Sequence, residues 1–159
     1  MTEFKTNVMR MLDKAKINDK HYTYAETGAI SGIEVATVLK QNPLQVFKTL
    51  VTVGKTGQHY VFLIPVEKEL DLKKASHAVG EKSVEMLKSK ELLPLTGYIH
   101  GGCSPIGMKK NFKTTIDDSA KNFDTIIFSA GKIGYQVEMS LDELSKVIRF
   151  QLSEIVSQA

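Results

Sequence analysis

Residues 98–110 read Tyr-Ile-His-Gly-Gly-Cys-Ser-Pro-Ile-Gly-Met-Lys-Lys, and the rest of the chain can be organised around this stretch. The pattern predicts a strand over residues 95–101 that runs into a glycine-lined loop. Gly101 and Gly102 allow positive φ angles or a close approach of a ligand to the main chain. Such a loop is either an ordinary turn or a cradle that offers backbone N–H groups to an oxyanion or phosphate. The stretch alone leaves both interpretations open.

The composition is typical of a globular protein. A chain of 159 residues is long enough to bury a core without disulfides, and we expect a single domain over residues 1–159. Hydrophobic residues make up 42% and charged residues 25%, and no apolar run approaches the ~18 residues that a membrane span requires. We therefore expect a soluble protein without a membrane segment.

The N-terminal residues, the cysteine content and the net charge indicate where the protein is located and which partners it can bind. The first residues lack the basic, apolar and small-residue order of a signal peptide, and a single cysteine, Cys103, cannot form an internal disulfide. These features predict a cytoplasmic location. The net charge is +3 and the pI about 8.9, so an anionic partner is permitted but not required.

Hydrophobic periodicity and capping signals predict helices that are interspersed with hairpin-linked strands. The predicted elements are a helix over 4–15, a strand over 21–24, a helix opened by the capping box at 31–34, a hairpin of 49–53 and 60–66, a helix over 71–80, a strand over 83–87, a helical turn over 88–92, strands over 95–101, 125–128 and 135–139, and a final helix from 140 through 155. Because strands and helices do not alternate regularly, this order predicts an α+β fold with a mixed, curved sheet rather than a doubly wound fold.

Two side chains at strand ends are candidates for function. Lys48 stands at the head of an otherwise apolar strand, where its amine either extends to water or is used in a site. Tyr24 ends the first strand, either as an edge aromatic with a hydrated hydroxyl or with that hydroxyl in a site.

Conventional catalytic motifs are missing from the sequence. There is no GxSxG, P-loop or HExxH motif, and the four histidines have no metal-ligand spacing, so we expect neither a metal nor a cofactor. Cys103 and His100 suggest a thiol nucleophile with its base, although residues three apart on a strand and loop need not face each other.

Four segments, taken together and in order, carry a family resemblance. They are Val-Phe-Lys-Thr-Leu (46–50), Leu-Asp-Leu-Lys-Lys (70–74), Gly-Tyr-Ile-His-Gly-Gly-Cys-Ser-Pro-Ile-Gly (97–107) with the lysine pair 109–110, and Ser-Ala-Gly-Lys (129–132). The set spans nearly the whole chain and resembles the YbaK/EbsC family. Members are trans-editing aminoacyl-tRNA deacylases, best known for clearing Cys-tRNA(Pro), and are related to the editing domain inserted in bacterial prolyl-tRNA synthetases.

The resemblance implies a strongly curved, barrel-like mixed β-sheet flanked by helices, with a small pocket for the terminal adenosine and its esterified amino acid. Lys48 matches the family's essential lysine. Tyr24 and Ser129 match residues that orient the amino acid or the ribose, and Gly101 and Gly102 match glycines that line the pocket.

Two positions depart from the family pattern. Cys103 stands where an apolar residue is expected, and Gln136, in the substrate-binding set, stands where the Cys-specific type carries an aspartate. The specificity therefore stays open between Cys-tRNA(Pro), cleaved with the help of the substrate's own thiol, and Ala-tRNA(Pro) or another small aminoacyl-tRNA, cleaved by water. A non-catalytic module that binds an aminoacyl-adenosine or a nucleotide is the third alternative.

The resemblance also implies macromolecular partners. The aminoacylated 3′ end of tRNA would be the substrate, and a complex with prolyl-tRNA synthetase would supply tRNA selectivity. Four lysines are either solvated or contact tRNA phosphates, namely Lys109, Lys110, Lys113 and Lys132.

Overall fold

The β-strands of the computed structural model, which describes residues 4–157, fall into two sheets. In chain order the elements are α1 Asn7–Lys14, β1 Lys20–Thr23, α2 Gly32–Val38, β2 Phe47–Gly54, β3 His59–Pro65, α3 Leu72–Val79, β4 Val84–Met86, α4 Ser89–Thr96, β5 Lys113–Asp117, β6 Ile126–Ser129, β7 Tyr135–Met139, α5 Leu141–Leu144 and β8 Gln151–Ser153. The smaller sheet has the order β1-β7-β6 and is antiparallel.

The larger sheet has the order β4-β2-β3-β5-β8 and mixes both strand directions. β2 pairs antiparallel with β3 and β4, whereas β5 runs parallel to β3 and β8 runs parallel to β5. The predicted α+β class and mixed pairing are confirmed. The strands do not close into one barrel. An isolated parallel bridge between Val46 and Ile127 joins the two sheets instead.

Two cores lie on opposite faces of the larger sheet because strand side chains alternate between faces. The main core combines α1 with residues from both sheets, including Phe47, Leu63, Phe128 and Val137. The second core lies under α3 and is built around Phe62, Ile64 and Ala75. The hairpin of β2 and β3 therefore belongs to both cores.

Local signals located the helix starts well. Ser31 and Glu34 form both hydrogen bonds of the predicted capping box at α2. Asp71 caps α3, which ends at Gly80 in the left-handed conformation as predicted. α1 begins at Asn7 rather than at Phe4, and it buries Val8, Met9 and Leu12, whereas Met11, which was expected on the buried face, is exposed.

The predicted strand over residues 95–101 is wrong. α4 continues through Thr96, whose hydroxyl donates to the Leu92 carbonyl, and Gly97 then ends the helix with a φ of 88°. The β-branched and aromatic residues that suggested a strand instead lie in the last helical turn and in an irregular segment over residues 98–112.

The predicted final helix is also wrong beyond its first turn. α5 stops at Leu144, and the chain then forms β8 beside β5. Glu143 does not complete the expected capping box, because its carboxylate accepts from the Asn18 backbone N–H at 3.0 Å and from Lys146. Without β8, strand β5 would be an unpaired sheet edge, and pairing that edge outweighs the helical periodicity of the sequence.

The buried carboxylate of Asp117 attaches the C-terminal segment to the larger sheet. It is 3% exposed, and its oxygens accept from the backbone N–H groups of Ile155 at 3.0 Å and Ser119 at 3.2 Å. The Ile155 carbonyl in turn accepts from the Asp71 N–H at 2.8 Å. One side chain therefore connects β5, the C-terminal segment and the start of α3.

None of the helices within residues 4–157 has the length and apolar character needed to cross a membrane.

We predict that Asp117→Ala lowers the free energy of unfolding by about 1–3 kcal/mol, because it leaves buried N–H groups without acceptors. Urea unfolding followed by circular dichroism measures this. The matched control is Asp118→Ala, which removes a neighbouring carboxylate whose ion pair with Lys121 is exposed. Exposed pairs contribute about 0–1 kcal/mol, so equal losses in the two variants would contradict the role of Asp117.

Candidate functional site

The loop between β6 and β7, residues 129–134, is the element around which the predicted site residues meet. Ser129 ends β6, and its Oγ accepts a hydrogen bond from the Gly131 N–H at 3.1 Å. On the other side, the Tyr24 backbone N–H donates to the Gly134 carbonyl at 2.7 Å. Tyr24 itself is buried. The structure therefore places Tyr24 and Ser129 at the two ends of one short loop.

The glycine loop, residues 98–107, packs against the same β6–β7 loop. Gly101 has a φ of 88°, which a residue with a side chain rarely adopts. A Cβ on Gly102 would lie 3.1 Å from the Ile133 backbone nitrogen, so a larger residue would push the two loops apart by a few tenths of an ångström. The Gly102 N–H already donates to the Ile99 carbonyl at 3.0 Å. Of the two glycines, Gly101 is therefore the better donor for an oxyanion.

Lys48 stands near the bridge that joins the two sheets. Val46 pairs in parallel with Ile127, and both side chains belong to one buried cluster. Lys48 and Ser129 each lie two residues further along, and side chains two apart on a strand share a face. This spacing predicts that Lys48 and Ser129 face the same site.

The environment of Lys48 is unusual for a lysine. The side chain is half-buried, and it forms neither a hydrogen bond nor an ion pair within residues 4–157. Burial lowers the pKa of its ammonium below the ordinary lysine value, and the charge of Glu69 opposes part of that shift. The result is a desolvated amine that no protein group engages directly.

Gln136 is buried between the two neighbouring strands of the smaller sheet. It pairs in register with Ser129 on one side and Tyr22 on the other. Its Oε1 accepts from the Gln41 Nε2 at 2.8 Å, while the Gln41 Oε1 is buried without a partner. A neutral amide pair thus stands where an aspartate would introduce a negative charge.

Sequence reasoning missed Gln41. Its contact with Gln136 spans 95 residues, and nothing in the short segment between α2 and β2 distinguishes it from a surface glutamine. Its burial depends on how α2 packs over the smaller sheet.

Cys103 and His100 do not form a nucleophile and base. Cys103 is 7% exposed and belongs to the main core, whereas His100 is exposed. Burial raises the pKa of the Cys103 thiol to about 12, which suppresses the reactive thiolate. Cys103 therefore behaves as an apolar core residue, like the apolar residue expected at that position.

The structure separates the four candidate lysines. Lys109 and Lys132 line one cleft beside the β6–β7 loop. Lys113 begins β5 and lines a different depression together with His59. Lys110 is exposed and lines neither of these two. Within residues 4–157, no three His, Cys, Asp or Glu side chains gather as a metal site would require.

Comparison with known proteins gives a family match over most of the chain. The model of the aminoacyl-tRNA editing domain family matches residues 27–147, which include Lys48, the glycine loop and the β6–β7 loop. A protein of Enterococcus faecalis, provisionally named Cys-tRNA(Pro)/Cys-tRNA(Cys) deacylase EbsC, is 44% identical over 158 residues, covering 99% of this chain and 96% of that protein.

Two further relatives agree with this match. A proline–tRNA ligase of Lactobacillus gasseri is 27% identical over 133 residues, which cover 82% of this chain but 23% of the ligase. A crystal structure described provisionally as a trans-editing enzyme for prolyl-tRNA synthetase superposes with a TM-score of 0.82 at 22% identity, covering 98% of this chain and all of that one. This last likeness shows a shared fold.

We predict that Cys103 reacts with iodoacetamide in the native protein at least about 100-fold more slowly than a free thiol at pH 8, because burial both shields it and disfavours the thiolate. Mass spectrometry over time measures the modification. Urea-unfolded protein is the control and should react at the ordinary rate. Rapid modification of the folded protein would contradict the buried thiol.

Proposed function

Because the chain belongs to the aminoacyl-tRNA editing domain family, we propose that it is a trans-editing deacylase whose principal substrate is Cys-tRNA(Pro). The single observation that carries this proposal is the half-buried ammonium of Lys48, which forms no hydrogen bond or ion pair within residues 4–157 and stands two residues beyond the bridge between the sheets. The name of the Enterococcus faecalis relative supports the choice of a cysteinyl ester.

The biological need for such an enzyme follows from the limits of binding selectivity. A synthetase pocket distinguishes substrates that differ by about one methylene only ~10–200-fold. A prolyl site therefore admits cysteine and alanine, and a second, smaller site is needed to remove the products.

The chemistry requires no protein nucleophile if the substrate's own thiol attacks the ester. The cysteine sulfur forms a bond to the ester carbonyl carbon while the bond from that carbon to the ribose oxygen breaks. The thiol proton passes to the leaving ribose oxygen, and water then opens the thiolactone to cysteine. Intramolecular placement contributes up to about 7–11 kcal/mol, offset in part by strain in the small ring.

Lys48 would assist at two points of this reaction. Its ammonium favours the thiolate form of a thiol whose ordinary pKa is about 8.5. It also stabilises the negative charge that develops on the carbonyl oxygen, and partial burial strengthens this interaction. The Gly101 N–H would provide a second donor to that oxygen.

The remaining site residues would position the substrate. Ser129 ends β6, and its hydroxyl would contact the amino acid or a ribose hydroxyl. Tyr24 would orient the same groups from the far end of the β6–β7 loop. Gly102 packs against the backbone of Lys132 and Ile133 and would hold the glycine loop close to the substrate.

A second specificity follows from Gln136. Its neutral amide removes the negative charge that the Cys-specific type places here, and this favours an enzyme that also hydrolyses Ala-tRNA(Pro) with water as the nucleophile. In the third alternative the chain binds an aminoacyl-adenosine or a nucleotide without turnover. In both deacylase alternatives the tRNA 3′ end is the ligand, and we propose that prolyl-tRNA synthetase supplies tRNA selectivity in the cytoplasm.

We predict that the wild-type protein deacylates Cys-tRNA(Pro) faster than Ala-tRNA(Pro). We also expect Lys48→Ala to lower the single-turnover rate on the cysteinyl ester about 10²–10³-fold, because losing one electrostatic stabiliser of the oxyanion usually has an effect of this size. Release of radiolabelled amino acid from each tRNA measures both rates. Lys82→Ala, which removes an exposed lysine elsewhere, is the matched control and should keep full activity.

The outcomes distinguish the three alternatives. Equal cleavage of both esters supports the water mechanism and the broader specificity. Binding of aminoacyl-tRNA without cleavage of either ester supports the binding module. Full activity of Lys48→Ala contradicts the central role of the ammonium.

We also predict an alkaline limb in the pH profile of kcat/KM for Cys-tRNA(Pro), after subtraction of uncatalysed hydrolysis. The ammonium exists below its pKa, and burial lowers that pKa, so the charge is lost at a lower pH than the ~10.4 of an ordinary lysine. Lys48→Arg keeps its charge throughout the range and should lack this limb, even at reduced activity. The same limb in both proteins would assign it to another group.

A further inference from the structure

A cleft lies between the N-terminal segment, the end of α4 and the β6–β7 loop, with a volume of about 550 Å³. We call it the basic cleft. It is lined by Phe4, Lys5, Thr6, Asn7, Val8, Arg10, Thr96, Gly97, Tyr98, Gly107, Lys109, Ala130, Gly131 and Lys132. Its walls come from three parts of the chain that are distant in sequence.

Every charged side chain in this lining is a cation. Arg10, Lys109 and Lys132 form no ion pair within residues 4–157, whereas Lys5 pairs with Asp13, which is not part of the lining, at 2.5 Å. The three cations without an ion pair repel one another, and an anion in the cleft would relieve this repulsion.

An aromatic stack holds one of these cations in place. Phe4 stacks on Tyr135 with ring centroids 4.7 Å apart, and the Lys132 Nζ lies 4.7 Å from the centroid of the Phe4 ring. A cation over an aromatic face is partly fixed, so less side-chain entropy is lost when it binds a ligand. Phe4 is therefore a positioning residue for Lys132.

The first residues of α1 add to the positive field of the cleft. Asn7 and Val8 begin the helix after the cap at Thr6, and backbone N–H groups in a first turn have no helical acceptors. The helix dipole also favours negative charge at this end.

The basic cleft shares a wall with the candidate site. Gly131 and Lys132 line the cleft, and the Gly131 N–H donates to the Ser129 Oγ in the site. A ligand that occupies both places therefore needs an anionic group one short loop away from the ester.

We propose that the basic cleft binds the phosphodiester groups immediately 5′ of the terminal adenosine, in the single-stranded 3′ end of tRNA. This inference rests on the proposed function for the source of the RNA. The chemistry is that of a short cationic groove for a single-stranded backbone. Arg10 and Lys132 make the principal phosphate contacts, and Lys109 is at the edge. Lys113, which lines another depression, takes no part.

The first test uses a 5′-fluorescein-labelled RNA of sequence ACCA and measures binding by fluorescence anisotropy across a series of salt concentrations. The doubly substituted Arg10→Ala, Lys132→Ala protein should bind at least about 10-fold more weakly, and its salt slope should fall by roughly 0.7 for each phosphate that the protein no longer neutralises. Phe4→Leu keeps an apolar side chain but removes the aromatic face, and should weaken binding about two- to fivefold.

Two comparisons make this result specific. Lys82→Ala removes one exposed lysine charge outside the cleft and should leave affinity and slope unchanged, and the single variants Arg10→Ala and Lys132→Ala are its charge-matched counterparts. Adenosine 5′-monophosphate should compete poorly with the RNA, and competition as strong as that of unlabelled ACCA would overturn the proposal in favour of a mononucleotide site. Thermal unfolding of every variant verifies that the fold is intact.

Kinetic measurements of deacylation can test the basic cleft and the proposed function independently. With Cys-tRNA(Pro), the cleft variants should raise KM and leave kcat nearly unchanged, because they do not contact the ester. If the wild type deacylates and the cleft variants keep its KM, the cleft proposal fails while the function stands. If the wild type binds ACCA through the cleft but deacylates nothing, the proposed function fails while the RNA contact stands.

Discussion

The parallel bridge between Val46 and Ile127 is the constraint on which the candidate site depends. It joins two sheets that otherwise pack through side chains around the main core. It brings the start of β2 beside β6 although Val46 and Ile127 are 81 positions apart in the chain, and the proposed site pairs Lys48 with Ser129, each two residues further along. A shift of one residue would turn either side chain to the opposite face of its strand.

The β6–β7 loop lies between the candidate site and the basic cleft. On one side, the proposed function assigns the aminoacyl ester to Ser129, Tyr24 and the amine of Lys48. On the other side the basic cleft provides cations for the phosphate backbone. In an aminoacyl-tRNA the ester is attached to the last nucleotide, and the phosphates follow directly along the backbone. The two proposed binding places can therefore lie on opposite sides of one short loop.

Two uncharged side chains lie near this loop. Gln136 stands where an aspartate would carry a charge, and its amide pairs with Gln41, whose Oε1 is buried without a partner. Cys103 lies in the main core, where burial raises the pKa of its thiol to about 12. Glu69, the charge that acts on Lys48, is exposed, and in the proposed reaction the substrate's thiolate or the developing oxyanion would neutralise the ammonium.

The sequence by itself determined the local elements. The caps at Ser31 and Asp71 and the β2–β3 hairpin were predictable, because capping and alternation depend on residues a few positions apart. Tertiary structure decided the division into two sheets, the conversion of the expected last helix into β8, the Gln41–Gln136 contact and the separation of Lys113 from Lys132. All four features depend on which sheet edges and faces are still uncovered. The free energy gained by pairing an edge or burying a face arises only when segments that are distant in sequence come into contact.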